Sequence, residues 1–306
     1  MKSKKTVLIV GGSGFLGKNL FIKCLKHKFN VITLSSKLLN TSSRKIKQKH
    51  IVVNISNKKL LYKKLDKIKQ IDFVVNFGGY IDHLNKKITY KTHYIGCKNL
   101  VNYFLKKKIK RFIQIGSSME YGKKKSPQHE DNICKPISAY GKAKYSATKY
   151  VIQLNKNKNF PGVVIRPYQV YGPFQNSNRL IPIVINSCLK NLEFQCSSGK
   201  QYRDFLYVDD FIKFIFIIIN KKKLNNFIYN VGYGKPYKVK TLIKKIQKII
   251  NKGKPIFNKI PLRKEENLIT YPSINRSKVY FNWKPKVSLE SGIKKTIQYY
   301  KNKISS

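Results

Sequence analysis

Short runs of apolar, β-branched residues recur along the first half of the chain, separated by amphipathic, lysine-rich stretches. The first run, Thr6–Val10, is followed directly by glycine, which is typical of a strand buried on both faces of a parallel sheet. A helix is predicted from about Leu16, and apolar residues at helical spacing predict further helices at 58–69 and 98–108. Further strands are predicted at residues 30–34, 51–53, 72–76, 111–115, 162–165 and 227–231.

This alternation predicts the α/β fold class, with a Rossmann-type doubly wound parallel sheet and right-handed crossovers. After residue 166 the alternation becomes irregular, because Pro167, Pro173 and Pro182 interrupt it. We therefore expect a dinucleotide-binding domain over residues 1–166, to whose sheet residues 227–232 return. Residues 167–306 should form mainly a smaller, partly interleaved substrate-binding domain.

Basic residues greatly outnumber acidic ones, with 64 Lys+Arg against 13 Asp+Glu and a formal net charge of +51. This charge raises the alternative of a non-catalytic, RNA-binding protein built on the same fold. The lysines are spread through predicted helices and loops, so we interpret them as a compositional bias and do not expect nucleic acid as a partner. Salt-sensitive RNA retention without cofactor binding would support the alternative.

The five cysteines are widely spaced and form no Cys-x-x-Cys pair, so we expect neither a disulfide framework nor a metal site. The first predicted strand begins at Thr6, which leaves no room for a secretory signal before it. The most apolar run, residues 211–219, contains Lys213 and is too short to span a bilayer. We therefore expect a cytoplasmic protein without a membrane span.

A glycine-rich turn, Gly11-Gly-Ser-Gly14-Phe-Leu-Gly17, lies between the first predicted strand and the first predicted helix. Gly11 permits a tight turn, Gly14 admits a pyrophosphate, and Gly17 lets the helix pack on the strand. The amides at the start of the helix, at Phe15 and Leu16, would bind the pyrophosphate. The turn therefore predicts a dinucleotide cofactor.

The choice of cofactor depends on the end of the second predicted strand, where an Asp or Glu binds the ribose hydroxyls of NAD. This chain has Ser35, Ser36 and Lys37 there, with Arg44 nearby, so a 2′-phosphate would meet a cation and no carboxylate. Because Lys and Arg occupy 64 of 306 positions, a nearby cation is also expected by chance. We favour NADP, with NAD as the alternative.

Two segments carry hydroxyl groups suited to proton transfer. Ser117 and Ser118 follow the predicted strand 111–115, at the carboxyl end where open α/β sheets bind ligands. Tyr140 and Lys144 are spaced i and i+4 in a predicted helix and therefore share one face. An ammonium group beside a phenol favours the phenolate, which proton exchange near neutral pH requires. We predict Tyr140 and Lys144 to be a proton-transfer pair.

Together these motifs resemble the extended short-chain dehydrogenase/reductase superfamily, in its NAD-dependent epimerase/dehydratase branch, which acts on nucleotide sugars. The resemblance spans nearly the whole chain. Besides the glycine turn and the Tyr140/Lys144 pair, it includes Asn76-Phe-Gly-Gly79, His93-Tyr-Ile-Gly96-Cys-Lys-Asn99, Ser117-Ser-Met-Glu-Tyr121-Gly122, Arg166-Pro-Tyr-Gln-Val-Tyr171-Gly172-Pro173, Arg203-Asp204-Phe-Leu-Tyr207-Val-Asp209-Asp210 and Trp283-Lys-Pro285.

The resemblance implies roles for individual residues. Ser117 would hydrogen-bond the reacting sugar oxygen, Tyr140 would exchange its proton, and Lys144 would bind the nicotinamide ribose. Arg203 would contact the diphosphate of the substrate, although an ion pair with a neighbouring aspartate, Asp204 or Asp209, is the alternative. The other residues so implied are Asn54, Ile55, Phe77 and Gly78 for the cofactor, and Ser118, Gln169, Asn178 and Arg263 for the substrate.

Departures from the family pattern narrow the expected reaction. The 4,6-dehydratases of this branch carry an acidic pair after the hydroxyl residue, whereas Ser118 and Met119 follow Ser117 here, which disfavours dehydration. We expect hydride transfer at the sugar C4, with a preference for reduction of a 4-keto-6-deoxy sugar nucleotide. A 4-epimerase with tightly held NAD is the alternative, and the resemblance also implies a homodimer.

Overall fold

The computed structural model describes residues 4–39, 49–80, 85–262 and 267–304. Arg44 and Arg263, which were singled out as cofactor and substrate candidates, lie outside the described residues. The chain divides into two compact units. Unit 1 consists of Met1–Gly122, Ile133–Arg166 and Ile215–Tyr229, and unit 2 of Lys123–Asn132, Pro167–Phe214 and Asn230–Ser306. The assignment of cofactor and substrate to separate domains stays a prediction.

The strands are short, and central ones such as Thr6–Val10 and Phe73–Asn76 are buried along their whole length, as their β-branched composition predicts. In chain order they are β1 (Thr6–Val10), β2 (Asn30–Ser35), β3 (His50–Val52), β4 (Phe73–Asn76), β5 (Arg111–Ile115), β6 (Gly162–Pro167), β7 (Gln169–Tyr171), β8 (Glu193–Gln195), β9 (Tyr202–Tyr207), β10 (Ile228–Val231), β11 (Pro236–Lys238), β12 (Lys254–Ile256) and β13 (Ile269–Thr270).

The helices alternate with these strands in unit 1 and cluster in unit 2. In chain order they are α1 (Phe15–Lys26), α2 (Lys58–Leu65), α3 (Lys86–Tyr90), a π-helical turn (Lys91–Ile95), α4 (Gly96–Leu105), a 3₁₀ turn (Ser118–Tyr121), α5 (Ala139–Lys158), α6 (Leu180–Leu189), α7 (Val208–Asn220), α8 (Val239–Ile250), α9 (Asn275–Phe281) and α10 (Leu289–Ile304).

The principal sheet has, within the described ranges, seven strands in the order β10-β6-β5-β4-β1-β2-β3. The neighbours β1 and β2, β1 and β4, β4 and β5, and β5 and β6 pair in parallel. The strand order reverses between β1 and β4, so their carboxyl ends open the crevice in which proteins of this type bind ligands. This architecture confirms the predicted α/β class of Rossmann type.

Several boundaries differ slightly from the prediction. Strand β3 begins one residue earlier, at His50, and α2 and α4 end at Leu65 and Leu105, before the lysine-rich residues that follow each of them. Helical spacing continues into those lysines, but Lys67 and Lys106 are exposed and contribute nothing to the apolar face. Helix α4 also starts earlier than predicted, because it continues the π-helical turn without interruption.

The core of unit 1 lies between the sheet and the helices that cover it. Leu100 and Phe104 of α4 and Val151 of α5 are buried in one cluster with Val74 of β4 and Phe112 of β5. Because the strands are covered by helices, apolar residues occupy both faces and the period-two alternation of a half-exposed strand is absent there. The carboxyl ends of β1, β4 and β5 are thereby held in one rigid layer.

Unit 2 is organised around β9. Strand β11 pairs with β9 antiparallel, β13 and β7 pair with it in parallel, and β8 and β12 form a separate parallel pair. The buried apolar faces of α6 and α8, which include Ile185 and Ile246, pack against each other. In neither unit does a described helix combine the length and apolar character needed to cross a bilayer.

Asp72, directly before β4, connects the starting ends of three strands. Its carboxylate accepts a hydrogen bond from the Thr6 N–H at 2.8 Å and forms an ion pair with Lys110 Nζ at 2.6 Å. Burial alone would raise the pKa of Asp72, but the Lys110 ammonium and the Thr6 N–H hold it below its ordinary value. The carboxylate therefore stabilises the fold in its charged form.

We predict that Asp72→Asn lowers the free energy of unfolding at pH 7 by about 1–3 kcal/mol, because a buried charge-assisted hydrogen bond and ion pair are lost. A depressed pKa in the folded state contributes stability above the unfolded pKa and loses it as pH falls through the folded pKa. The difference between wild type and variant should therefore shrink in urea denaturation between pH 7 and about pH 3. Asp209→Asn, at an exposed carboxylate, should show neither effect, and a pH-independent difference would contradict the prediction.

Candidate active site

The glycine turn connects β1 to α1 through a backbone that only glycine fits. Gly11 has φ of +79°, and a Cβ added to Gly17 would lie 2.2 Å from the Gly11 carbonyl oxygen. A Cβ added to Gly14 would meet only that oxygen, at 3.3 Å, so the space beyond Gly14 is open. The turn therefore packs tightly against the protein at Gly11 and Gly17 and leaves space for a ligand at Gly14, next to the N-terminus of α1.

The N-terminus of α1 offers hydrogen-bond donors to an anion. Gly14 is its N-cap and carries no capping side chain, and the first turn contains no acidic residue. Helical bonding begins with the Lys18 N–H on the Gly14 carbonyl at 2.9 Å, so the amides of Phe15, Leu16 and Gly17 point out of the helix end. This donor set fits the pyrophosphate of a dinucleotide.

A histidine that the sequence motifs did not indicate, His50 at the start of β3, lies beside the carboxyl end of β2. Ser35 Oγ donates to the Lys37 carbonyl at 2.6 Å, and the His50 ring bonds Thr33 Oγ1 at 2.8 Å and the Lys37 carbonyl at 2.9 Å. Ser36 and Lys37 are exposed, whereas Ser35 is buried and its hydroxyl is used within the protein. Of the predicted residues at this strand end, Ser36 and Lys37 are thus accessible to a ligand.

The ends of β3 and β4 carry the remaining predicted cofactor residues. Asn54 is exposed, and its Oδ1 accepts from the N–H and Oγ of Ser56 at 3.0 and 2.9 Å. Ile55 is buried, and its Cδ1 lies 2.8 Å from where a Cβ of Gly78 would be. Phe77 is half-buried beside Gly11. Ile55 therefore packs beneath the Gly78 backbone, which lies at the sheet edge.

Helix α5 places Tyr140 and Lys144 beside the end of β5. Lys144 is buried, its Nζ donates to the Ile115 carbonyl at 2.8 Å, and it lies 5.7 Å from the centroid of the Tyr140 ring. A Cβ on Gly141 would lie 2.6 Å from the Met119 carbonyl oxygen, so α5 closely approaches the turn after Ser117. The structure thus brings the residues predicted from two distant segments to one edge of the sheet.

Tyr140 also contacts a buried histidine. The rings of His93 and Tyr140 meet edge to face, with centroids 5.0 Å apart and an interplanar angle of 81°. His93 comes from the π-helical turn, and its Nε2 bonds the Tyr80 N–H at 3.2 Å. A Cβ on Gly79 would lie 2.3 Å from the His93 ring, so this glycine makes room for the imidazole. His93 therefore packs against the phenol that the sequence predicts to be catalytic.

A buried polar chain lies beneath Lys144. Gln114 donates through Nε2 to the Ile115 carbonyl at 3.0 Å, and its Oε1 accepts from Asn76 Nδ2 at 2.7 Å and from Cys97 Sγ at 3.1 Å. Burial raises the pKa of the Cys97 thiol to about 12, so this group is a neutral donor at pH 7. The side chains that lie beneath the Lys144 ammonium are therefore uncharged and hydrogen-bonded to one another.

Two further residues that the sequence motifs did not assign to the site, Glu120 and Arg166, support Ser117. Glu120 and Arg166 are fully buried and form an ion pair, with Arg166 Nη2 2.8 Å from Glu120 Oε2. Glu120 Oε1 accepts from the Ser117 N–H at 2.8 Å, and Ser117 Oγ accepts from the Met119 N–H at 3.2 Å. The spacing Ser-x-x-Glu before a helical turn indicates such a capping box and could have identified Glu120.

Three of the predicted substrate residues line one cavity in unit 2. The cavity has a volume of about 420 Å³, and its lining includes Gln169, Asn178 and Arg203. Arg203 is buried, and its Nη1 donates to the carbonyls of Tyr202 and Leu268 at 2.7 and 3.2 Å. The carboxylate of Asp204 accepts from the backbone N–H groups of residues 233 and 234. The cavity therefore combines a guanidinium with two uncharged amides.

No group of three or more His, Cys, Asp or Glu side chains that could hold a metal occurs within the described ranges. All five cysteines lie within these ranges, and none of them forms a disulfide.

Residues 7–232 match the model of the NAD dependent epimerase/dehydratase family. The chain is 28% identical to dTDP-D-glucose 4,6-dehydratase of Homo sapiens, over 97% of this chain and 90% of that protein. It is 29% identical to a putative UDP-glucose 4-epimerase of Methanocaldococcus jannaschii, over 97% and 98% of the two chains.

A solved structure resembles the whole chain. UDP-glucose 4-epimerase of Thermotoga maritima, determined with UDP-glucose, matches with a TM-score of 0.89 at 25% identity and covers 98% of this chain and 99% of its own. The alignment to these proteins spans both units, so the similarity is not limited to the glycine turn.

Proposed function

The chain belongs to the NAD dependent epimerase/dehydratase family, and from this we propose that it is an enzyme that transfers a hydride at C4 of a nucleotide-linked sugar. One observation carries the proposal. The buried Lys144 ammonium binds the last carbonyl of β5, and this contact holds Tyr140 next to the turn that begins at Ser117.

We assign the cofactor to the carboxyl edge of the unit 1 sheet. The amides of Phe15, Leu16 and Gly17 would hold the pyrophosphate, and the exposed Ser36 and Lys37 would face the adenosine ribose. When bound, the cofactor supplies or accepts a hydride at its nicotinamide C4. The turn from residue 35 to residue 39 contains a lysine and no acid, which favours NADP, with NAD as the alternative.

Three side chains would perform the proton chemistry. In the direction of reduction, the Ser117 hydroxyl donates a hydrogen bond to the C4 carbonyl oxygen of the sugar, and the Tyr140 phenol transfers its proton to that oxygen. With one hydride from the cofactor and one proton from Tyr140, the carbonyl would become a secondary alcohol. The nearby Lys144 ammonium stabilises the phenolate left behind. Oxidation of the alcohol uses the same groups in reverse.

The turn after Ser117 favours reduction over dehydration. A 4,6-dehydration needs side chains that take a proton from the carbon next to the C4 ketone and protonate the departing hydroxyl group, whereas Ser118 and an exposed, apolar Met119 occupy this turn. The carboxylate of Glu120 is buried and paired with Arg166. We therefore propose reduction of a 4-keto-6-deoxy sugar nucleotide. Redox-neutral 4-epimerisation is the second candidate, which the similarity to the Thermotoga maritima epimerase favours.

We assign the nucleoside diphosphate of the substrate to the cavity of unit 2. A guanidinium suits a diphosphate, because its planar N–H donors bind two oxygens at once. Arg203 supplies this group, and Gln169 and Asn178 add amide donors and acceptors for the base and sugar hydroxyls. The cavity volume of about 420 Å³ lies within the usual range for small-molecule sites.

A screen of CDP-, dTDP-, UDP- and GDP-linked sugars, 4-keto sugars included, tests the reaction. NADH or NADPH consumption is followed by absorbance, and the sugar product by nuclear magnetic resonance. A reductase should oxidise one NADPH for each sugar reduced. An epimerase should interconvert the C4 epimers without net cofactor consumption and should retain NAD through purification.

We predict that Tyr140→Phe lowers kcat on the best sugar about 10²- to 10⁴-fold, because the proton donor is removed. Cofactor affinity should stay within about threefold, since the aromatic ring and Lys144 remain. Tyr145→Phe is the matched control, because Tyr145 lies on the same helix and contacts Lys149. A Tyr140→Phe enzyme as active as the parent would overturn the proposed mechanism.

We predict that two glycine substitutions separate cofactor binding from folding. In Gly14→Ala the new methyl group points into the open space at the N-terminus of α1, so NADP⁺ and NAD⁺ should bind at least about tenfold more weakly at a nearly unchanged thermal midpoint. In Gly17→Ala the methyl group meets the Gly11 carbonyl, so affinity and thermal midpoint should both fall. Calorimetric titration and thermal unfolding measure the two quantities. Unchanged affinity in Gly14→Ala would refute this cofactor site.

We predict that Arg203→Lys weakens UDP or dTDP binding about 10- to 100-fold and raises the KM of the sugar nucleotide, because bidentate recognition is lost. Cofactor KM should not change. Arg111→Lys is a matched control, since Arg111 Nη2 also donates to a backbone carbonyl, that of Lys221 at 2.7 Å, but belongs to unit 1. Equal effects of the two variants on nucleotide binding would mean that Arg203 serves the fold alone.

A further inference from the structure

A buried charged cluster lies directly behind Ser117. Arg166 donates through Nε to Glu120 Oε2 at 2.9 Å and through Nη1 to the Tyr121 hydroxyl at 2.9 Å, and its guanidinium lies 4.6 Å from the centroid of the Tyr121 ring. The relative exposures of Glu120, Tyr121 and Arg166 are 0%, 1% and 1%. The cluster therefore lies out of reach of solvent, with its second carboxylate oxygen facing Ser117.

The backbone is shaped to admit this carboxylate. A Cβ on Gly116 would lie 2.5 Å from Glu120 Oε1 and 3.2 Å from Arg166 Cγ, so only glycine leaves room there. Burial alone would lower the pKa of Arg166, but the Glu120 carboxylate raises it above its ordinary value. Removing two charges from water is costly, and the 3₁₀ turn that Glu120 caps is a single turn that an uncharged side chain could cap. The desolvation free energy of this ion pair is therefore larger than capping the turn requires.

The pair acts directly on the geometry of Ser117. Glu120 Oε1 accepts the Ser117 N–H at 2.8 Å, which fixes the orientation of the peptide group that precedes the hydroxyl. Ser117 Oγ in turn accepts the Met119 N–H at 3.2 Å. Because Oγ accepts the Met119 N–H, its hydroxyl proton is directed away from that N–H and remains available as a donor.

We propose that Glu120 and Arg166 are a positioning pair, whose charges hold Ser117 in one donor geometry toward the reacting sugar oxygen. This inference rests on the proposed role of Ser117 and adds two residues that do not touch the substrate. Arg166 fixes the Glu120 carboxylate through two nitrogens, and the carboxylate fixes Ser117. A purely structural pair would support folding without altering the hydrogen-bonding state of Ser117.

Two variants separate positioning from folding. Glu120→Gln removes the charge at almost constant shape. The double variant Glu120→Leu, Arg166→Met replaces both charges by apolar side chains, a change that buried ion pairs often tolerate without loss of stability. Glu130→Gln is the matched control, because Glu130 is a buried carboxylate that accepts the Asn230 N–H at 2.9 Å and faces Arg276.

The first measurement needs no substrate. Hydrogen exchange of the Ser117 amide, followed by nuclear magnetic resonance, should accelerate at least about tenfold in Glu120→Gln and in the double variant, because its acceptor is weakened or removed. The thermal midpoint of the double variant should stay close to that of the wild type. The Glu130→Gln control should leave Ser117 exchange unchanged. Unchanged Ser117 exchange in both Glu120 variants would overturn the inference.

The second measurement is a double-mutant cycle with Ser117→Ala, using dTDP-4-keto-6-deoxyglucose with NADPH and UDP-glucose with NAD⁺ as probes. Glu120→Gln should lower kcat about 10- to 100-fold in the wild-type background, with cofactor KM unchanged, and have almost no effect once Ser117 is alanine. Equal losses in both backgrounds would overturn the positioning role but leave the proposed function intact. If Ser117→Ala itself has no effect, the proposed role of Ser117 fails and this inference fails with it.

Discussion

The position of one buried ammonium group constrains the geometry of the proposed catalytic residues of unit 1. Lys144 is 4% exposed, and its Nζ binds the Ile115 carbonyl at the carboxyl end of β5 at 2.8 Å. A buried cation needs an acceptor, and the last carbonyl of a strand is free to accept a side chain because the strand pairing ends there. The contact therefore fixes the position of helix α5 along the end of β5. One helical turn before Lys144, this position brings Tyr140 into contact with His93 and Gly141 close to the Met119 carbonyl.

The Ile115 carbonyl is itself part of a layer that holds the sheet edge together. Gln114 links it to Asn76 on the neighbouring strand, and the Asn76 side chain accepts the Gly78 N–H at 2.9 Å. The same chain of contacts therefore reaches from the proton-transfer pair to the segment that follows β4, where the order of strands reverses. The proposed cofactor-binding edge and the proposed catalytic residues consequently share one buried network, which satisfies its polar groups internally.

The sequence alone predicts features that depend on local chemistry. Runs of β-branched residues predict the buried strands. The spacing of Gly11 and Gly17 predicts the tight turn, and the structure leaves no room for a side chain at either position. The i, i+4 spacing of Tyr140 and Lys144 predicts that they share one face of a helix. His50 was missed because its contact with Thr33 depends on the register of β2 against β3, which periodicity does not specify. Arg166 was missed as a partner because it lies 46 residues from Glu120 along the chain. Only the capping-box spacing from Ser117 to Glu120 was readable locally.

The scarcity of acidic residues accounts for the positive charge of the protein and bears on the proposed reaction. Among the described residues Asp72, Glu120, Glu130, Asp204 and Asp210 are buried, and each accepts a backbone N–H. The donor to Glu120 is Ser117 of the same turn, whereas the other four carboxylates accept from segments distant in sequence. These carboxylates therefore stabilise the fold. Asp72 and Asp210 also pair with Lys110 and Lys213, but the lysines far outnumber the acids, and the excess leaves a positive field that attracts anionic ligands. The same use of acids leaves no free carboxylate in the turn after Ser117. The proposed reaction would then depend on the hydroxyl groups and the ammonium at the end of β5, a set that suits hydride and proton transfer at one carbon better than elimination of water across two.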